Sequence, residues 1–236
     1  MTRIKEAPVA LVTGASRGFG RALASALLDR GWRVVLDARD AEAVRAASVE
    51  LPEVVAVRGD VTDPLHRESL AAAIEVFGGL DLLVNNASTL GPSPLPPLTR
   101  YPLYALRRVF ETNVVAPLAL VQLLAPMLRA RAGVVVNLSS DAAVEAYEGW
   151  GGYGMSKAAL DQLTAVAAIE NPDLRMYSFD PGDMRTAMHQ DAFPDEDISD
   201  RPEPATVVPT LLRLLDLRPP SGRYRASDLV EPAVAR

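Results

Sequence analysis

The chain has 236 residues, of which 49% are apolar and 23% charged, with a formal charge of −6; this fits one soluble globular domain over 1–236 and gives no basic face for nucleic acid or an anionic membrane. It holds no cysteine and only two histidines, His66 and His189, in unrelated segments, which excludes disulfides, thiol nucleophiles, iron–sulfur clusters, thiolate zinc sites and histidine-rich metal sites. The chemistry is left to hydroxyls, amides, carboxylates, Lys, Arg or a cofactor, with no metal expected. The N-terminal run carries charges and a proline before a short apolar stretch, unlike a secretory signal. The longest apolar stretch, residues 114–128, has 15 residues including two prolines and a glutamine, short of the roughly 20 that a spanning helix needs. A cytoplasmic protein is expected.

In chain order, residues 8–13 read as a strand and 18–30 as a helix with apolar residues at Phe19, Leu23, Ala26 and Leu27. Strand 33–38, helix 41–51 and strand 53–58 follow, then helix 65–77, strand 80–84, a long helix over 113–131, strand 133–139, helix 152–170 and strand 174–179. The strands are solidly apolar rather than alternating, as in a sheet covered on both faces. Alternating with helices of this length, they imply right-handed βαβ crossovers and an α/β fold built on a doubly wound parallel sheet. Two stretches break the rhythm. Residues 91–97 are proline-rich, and in 184–204 Asp191, Asp195, Glu196, Asp197, Asp200 and Glu203 face only Arg185, His189 and Arg201. The second stretch reads either as a solvated surface or as a lid over a ligand.

The first strand runs into Thr13-Gly14-Ala15-Ser16-Arg17-Gly18-Phe19-Gly20. Glycines at 14, 18 and 20 allow positive φ and let backbone N–H groups approach a pyrophosphate at the start of the next helix. The spacing is not the general GxGxxG fingerprint, and a tight turn that merely packs well is the alternative. Tyr153 and Lys157 are four residues apart, which sets both on one helix face, where an ammonium favours the phenolate.

With these motifs goes an ordered set of others: Asp60-Val61 after the third strand, Asn85-Asn86-Ala87-Ser88 after the fourth, Asn113 in the long helix, Ser139-Ser140 after the fifth and Pro181-Gly182 after the sixth. The chain thereby resembles a compact short-chain dehydrogenase/reductase over nearly its whole length. The resemblance implies a single Rossmann-type domain, a three-layer α/β/α sandwich with about seven strands. It also implies that Tyr153 is the general acid/base, that Lys157 lowers its pKa and binds the nicotinamide ribose, and that Ser140 rather than Ser139 positions the substrate oxygen. Asn113 would hold a water that relays protons from Lys157. The implied cofactor contacts are Gly14, Ser16, Arg17, Gly18, Phe19, Gly20, Arg39, Asp60, Val61, Asn86, Ala87, Tyr153, Lys157, Pro181, Gly182 and Met184. Strand-end capping by Ser139 or Ser140, and helix capping by Asn113, are the structural alternatives.

Two departures from the family pattern stand out. Ser88 replaces the usual glycine, and residues 141–152 are unusually acidic, with Asp141, Glu145 and Glu148 beside Tyr147 and Trp150. Some of these side chains are expected to face solvent, leaving Trp150 or Tyr147 to touch substrate.

Asp37 lies 23 residues after Gly14, about where an acid would bind the ribose 2′-OH of NAD(H). Taking 34–36 as the strand core instead puts the acidic position at Ala38, followed by Arg39, with Arg17 in the glycine turn; two arginines beside a small residue suit the 2′-phosphate of NADP(H). NADP(H) is favoured, and a shift of one residue would restore NAD(H). The reaction implied is interconversion of a small-molecule carbonyl compound and an alcohol by hydride transfer. The alternatives are a non-catalytic cofactor-binding regulator and an NAD-dependent epimerase or dehydratase. The apolar helices over 113–131 and 152–170 further imply a homodimer or homotetramer.

Overall fold

The interior strands are buried along nearly their whole length because helices cover both faces of the sheet. The computed structural model describes residues 7–51 and 53–230, so the reading of the first six residues lies outside it. Strands β1 (Val9–Val12), β2 (Arg33–Ala38), β3 (Val55–Arg58), β4 (Leu82–Asn85), β5 (Val134–Leu138), β6 (Arg175–Asp180) and β7 (Gly222–Arg225) form one parallel sheet in the order β3-β2-β1-β4-β5-β6-β7. Winding reverses between β1 and β4, which opens the crevice at the carboxyl edge where such sheets bind ligands.

Helices α1 (Gly18–Asp29), α2 (Ala41–Glu50) and α3 (Pro64–Glu75) connect the first strands. Ala10 and Val12 of β1 enter one core with Phe19, Leu23 and Leu27 of α1, while Val9 and Leu11 enter the other with Leu70 and Ile74 of α3. The period of two thus splits a continuous apolar run between two layers. Burying each Val or Leu contributes about 1.5–3 kcal/mol.

The long helix starts earlier than the sequence reading places it. Helix α4 (Leu103–Phe110), a π-helical turn (Glu111–Val115) and α5 (Ala116–Ala130) form one run. Pro102 caps its start and Ala105 and Val109 supply a buried i, i+4 pair, a period hidden in the sequence by two arginines and exposed Tyr104. Asn113 therefore sits inside the helix, in the π turn, and does not cap it. The run of 28 residues contains an 18-residue window of mean hydropathy 1.4 and is long and apolar enough by composition to cross a membrane, unlike the shorter stretch read from the sequence. Here Leu120, Leu124 and Leu128 pack it onto the sheet.

Helix α6 (Gly151–Glu170) carries Tyr153 and Lys157. In 184–204, Thr186 caps α7 (Ala187–Ala192) by accepting the His189 N–H at 3.2 Å, and all six carboxylates of that stretch are exposed. Helix α8 (Pro204–Leu217) and β7, neither placed by the sequence reading, complete the fold.

Candidate active site

The ends of β1 and β4 are fastened to each other before any ligand is considered. Thr13 Oγ1 accepts the N–H groups of Asn86 and Ala87, both at 3.0 Å, and Asn86 Nδ2 donates to the carbonyls of Thr13 (2.8 Å) and Gly14 (3.2 Å). Gly14 has φ +62°, and a Cβ there would lie 2.8 Å from the Ala87 Cα; both conformation and space demand glycine. Asn86 and Ala87 thus shape the turn from behind. Ser16 and Gly18 are half-buried and Arg17 is exposed. Phe19 turns its ring into the core against Phe179, centroids 6.2 Å apart, leaving only its backbone to the turn.

Asp37 is withdrawn from the surface. It is 1% exposed, its Oδ1 accepts the Gly14 N–H at 2.6 Å and its Oδ2 lies 2.9 Å from His66 Nε2. Arg39, the next outward residue after Ala38, is exposed and stands 3.9 Å from Asp60 Oδ2. Asp60 in turn accepts the Thr62 N–H (2.9 Å) and hydroxyl (2.8 Å), and Val61 is buried beside it. Arg58, which the sequence reading missed, donates from Nε to the Arg39 carbonyl at 3.4 Å.

The second cluster gathers where β4, β5 and β6 end. Tyr153 is 8% and Lys157 2% exposed, with Lys157 Nζ 5.4 Å from the phenol ring centroid and donating to the Leu138 carbonyl at 2.6 Å. Burial pushes the Tyr153 phenol up; hydrogen bonding with Ser140 and Ser88 pulls it down, and the charges of Asp180 and Asp141 push it further up. Burial holds the Lys157 ammonium down at about 8, against the opposing charge of Asp161.

Ser140, half-buried, donates its hydroxyl to Asp141 Oδ1 at 2.9 Å and accepts the Ala142 N–H at 3.2 Å, capping the short turn Asp141–Ala143. Ser139 is 4% exposed, and among the described residues its hydroxyl reaches only the Ser140 carbonyl, at 3.5 Å. Asn113 is fully engaged. Its Oδ1 accepts from the Thr89 N–H (2.9 Å) and the Ser88 hydroxyl (3.2 Å), and its Nδ2 donates to the Thr89 carbonyl and Ser156 Oγ, both at 2.9 Å.

Beside Tyr153 lies a cavity of about 110 Å³, lined by Leu90, Ser140, Trp150, Met184, Met188 and His189, with Pro181 and Gly182 at its wall. Trp150 packs edge-on against Tyr153 (5.6 Å) and tilts against Phe193 (5.8 Å), so the segment containing α7 covers the phenol. Of the acidic stretch, Asp141 and Trp150 line the cavity, whereas Glu145, Tyr147 and Glu148 are exposed. A larger depression of about 1010 Å³, near Arg30, Trp32 and Asp216 at the sheet's opposite edge, contains none of these residues.

Sequence reasoning missed Arg223 of β7. Its guanidinium donates to Asp161 Oδ2 (3.0 Å), Asp180 Oδ2 (2.8 Å) and the Ser140 carbonyl (3.0 Å), joining α6, β6 and the end of β5. An edge strand reading Gly-Arg-Tyr-Arg carries no apolar signal, so nothing local marked it.

The model of the short chain dehydrogenase family matches residues 8–197. Serine 3-dehydrogenase from Rhizobium radiobacter is 37% identical over 73% of this chain and 70% of its own length. Among solved structures, the short chain dehydrogenase from Shigella flexneri superposes with TM-score 0.87 at 30% identity, covering 97% of this chain and 94% of that one. The alcohol dehydrogenase from Thermococcus sibiricus, complexed with 5-hydroxy-NADP, gives TM-score 0.84 at 26% identity over 93% and 96% of the two chains. The sheet order, the glycine turn against Asn86 and Ala87, and the buried Tyr153–Lys157 pair agree with that match: the chain belongs to the short chain dehydrogenase family and is an oxidoreductase of the alcohol/carbonyl class.

Proposed function

We propose that this protein interconverts a small carbonyl compound and its alcohol with NADP(H), using Tyr153 as general acid/base. The observation that carries the reading is the buried phenol set among the hydroxyls of Ser140 and Ser88, with Lys157 one helical turn on, at a cavity whose lining residue Thr186 would lie 3.7 Å from a Cβ on Gly18 of the glycine turn.

The residues present fit a dinucleotide. Helix α1 opens at Gly18 with no side-chain cap, so its first N–H groups are free for a pyrophosphate. Arg17 and Arg39 are exposed while Asp37 is sealed off by Gly14 and His66, which favours a ribose bearing a 2′-phosphate over a bare 2′-OH. The nucleotide held by the Thermococcus sibiricus enzyme supports the same choice.

When bound, the nicotinamide supplies or accepts the hydride. Ser140 exchanges its bond to Asp141 for one to the substrate oxygen and holds that oxygen against the phenol. Tyr153 gives its proton to the oxygen in reduction and takes it back in oxidation. Lys157, with its ammonium held near the working pH, replenishes the phenol. Because the Asn113 side chain is fully bonded within the protein, a water relay at this position uses the backbone of the widened π turn.

Tyr153→Phe tests the reading. Turnover of carbonyl compounds with NADPH should fall about 10²–10⁴-fold while cofactor binding and Tm hold; near-parental kcat would overturn it. Exposed apolar residues on α5 and α6, among them Leu118, Leu123, Val166 and Ile169, fit a homodimer or homotetramer. Sedimentation as a 25.3 kDa species at micromolar concentration would refute that assembly.

A further inference from the structure

Asp37 and His66 form a buried ionisable pair that the chemistry at Tyr153 does not use. They are 1% and 5% exposed. Asp37 Oδ1 already accepts the Gly14 N–H at 2.6 Å, and a carboxylate offers no proton of its own. His66 Nε2 is therefore the protonated nitrogen and donates to Oδ2 across 2.9 Å. The backbone carbonyl of the same aspartate accepts the Ala15 N–H at 3.0 Å. One residue of β2 thus holds both amides that open the glycine turn.

The other side of the imidazole supports a second loop. A Cβ on Gly59 would stand 2.0 Å from His66 Nδ1, so the chain lies directly on the ring where β3 ends. The next residues are Asp60 and Val61, with Asp60 fastened by its two bonds to Thr62. A single ring therefore braces the turn after β1 through Asp37 and the loop after β3 by contact. Burying a carboxylate and an imidazole is costly unless both are bonded. An apolar pair would fill the same space, but it would leave the Gly14 N–H without its acceptor.

We propose that Asp37 and His66 are a positioning pair that sets the glycine turn and the Asp60-Val61 loop for the adenosine half of the dinucleotide, irrespective of whether its ribose carries a 2′-phosphate. This rests on the dinucleotide reading above. It also gives Asp37 a role different from the one its place in the sequence invites, which is direct contact with a ribose hydroxyl.

The test titrates NADPH and NADH separately into the full chain, following Kd by cofactor fluorescence, with the Tm of the cofactor-free protein and kcat at saturating NADPH measured alongside. His66→Phe keeps a ring and removes the donor. Both Kd values should rise by about tenfold, the size expected for loss of a charge-assisted hydrogen bond, by nearly the same factor and with kcat little changed. His66→Gln returns an N–H near the position of Nε2 and should restore both. Should His66→Phe fail to fold, Asp37→Asn is expected to weaken both cofactors in parallel and by less, because the amide oxygen can still accept from Gly14.

Parental Kd values in the variants would overturn the proposal, as would a loss confined to NADH, which would mean that Asp37 reads the ribose hydroxyl. Failure of His66→Gln to restore binding would overturn it too. Parental protein that binds neither dinucleotide would overturn the cofactor reading and this proposal together; parental binding with unchanged variants would overturn this proposal alone.

Discussion

Asp37 of β2 and Asp180 of β6 are built alike and act on opposite halves of the site. Both are buried, and each accepts a glycine N–H, from Gly14 at 2.6 Å and from Gly182 at 3.0 Å. Asp37 pairs with His66 at 2.9 Å, whereas Asp180 pairs with Arg223 at 2.8 Å and, at 3.9 Å, with Arg225. They differ in what lies beyond the carboxylate. Asp180 stands at the cavity beside Tyr153, and after burial its charge is among the influences that raise the phenol. Asp37 faces α3 and reaches the ligand side only through the backbone of the glycine turn. A buried strand-end carboxylate is therefore no signature of a particular role; its basic partner and its distance from the reacting group decide.

Arg223→Met leaves Asp180 and Asp161 without their guanidinium and releases the Ser140 carbonyl. Removing one partner of a largely buried ion pair is strongly destabilising, and Asp180, left with only the more distant Arg225 at 3.9 Å, raises the phenol further. We expect kcat/KM near neutrality to fall by about a hundredfold, equivalent to about 2.7 kcal/mol, with the basic limb of its pH profile moving to higher pH. A profile that falls without moving would mean that Arg223 serves the fold alone.

The adenosine half has its own test at Arg39, whose exposed guanidinium stands 3.9 Å from Asp60 Oδ2. Arg39→Ala should raise KM for NADPH by about 10-fold or more, as expected for loss of a charge-assisted phosphate contact, and leave that for NADH nearly constant. This contrasts with the parallel loss expected at His66. Equal effects on the two cofactors would show that Arg39 acts on loop geometry instead.

Lys157 is tested through stability rather than turnover. Its ammonium titrates at about 8 in the folded chain, against an ordinary 10.5. Between those values the unfolded chain binds more protons than the folded one, so stability rises with pH across that window. Below it the buried charge costs on the order of 3 kcal/mol. Lys157→Met should accordingly melt higher than the parent at pH 7, by several degrees, with the gap closing towards pH 10.5. A gap that does not vary with pH would show that burial of this amine carries no penalty.

Much of this architecture is legible in the residues themselves. Solidly apolar runs such as Val-Ala-Leu-Val in β1 require cover on both faces, and that requirement leads to the doubly wound sheet. The order of the Gly14 turn, Asn86, Ser140, Tyr153 and Lys157 along the chain leads to the candidate site. Even the withdrawal of Asp37 follows from parity, because a period of two that puts Val34 and Leu36 on one face puts Asp37 on the other. Helix α8 was readable from Val207, Val208, Leu211 and Leu212, but Pro209 within it masks the period.

What only the tertiary structure decided is which group stands opposite which. His66 follows Asp37 by 29 residues and Arg223 follows Asp180 by 43, and at such separations no local period or propensity links the partners. They meet because parallel strands bring loops that are distant in sequence to one edge, where each buried charge must find whatever partner the neighbouring elements place within hydrogen-bond reach. The same holds for Ser88 against Asn113, and for Trp150 between Tyr153 and Phe193. Sequence patterning determines the layers of this protein because burial depends on local periodicity; the electrostatics of its site depend on contacts between layers, which periodicity does not encode.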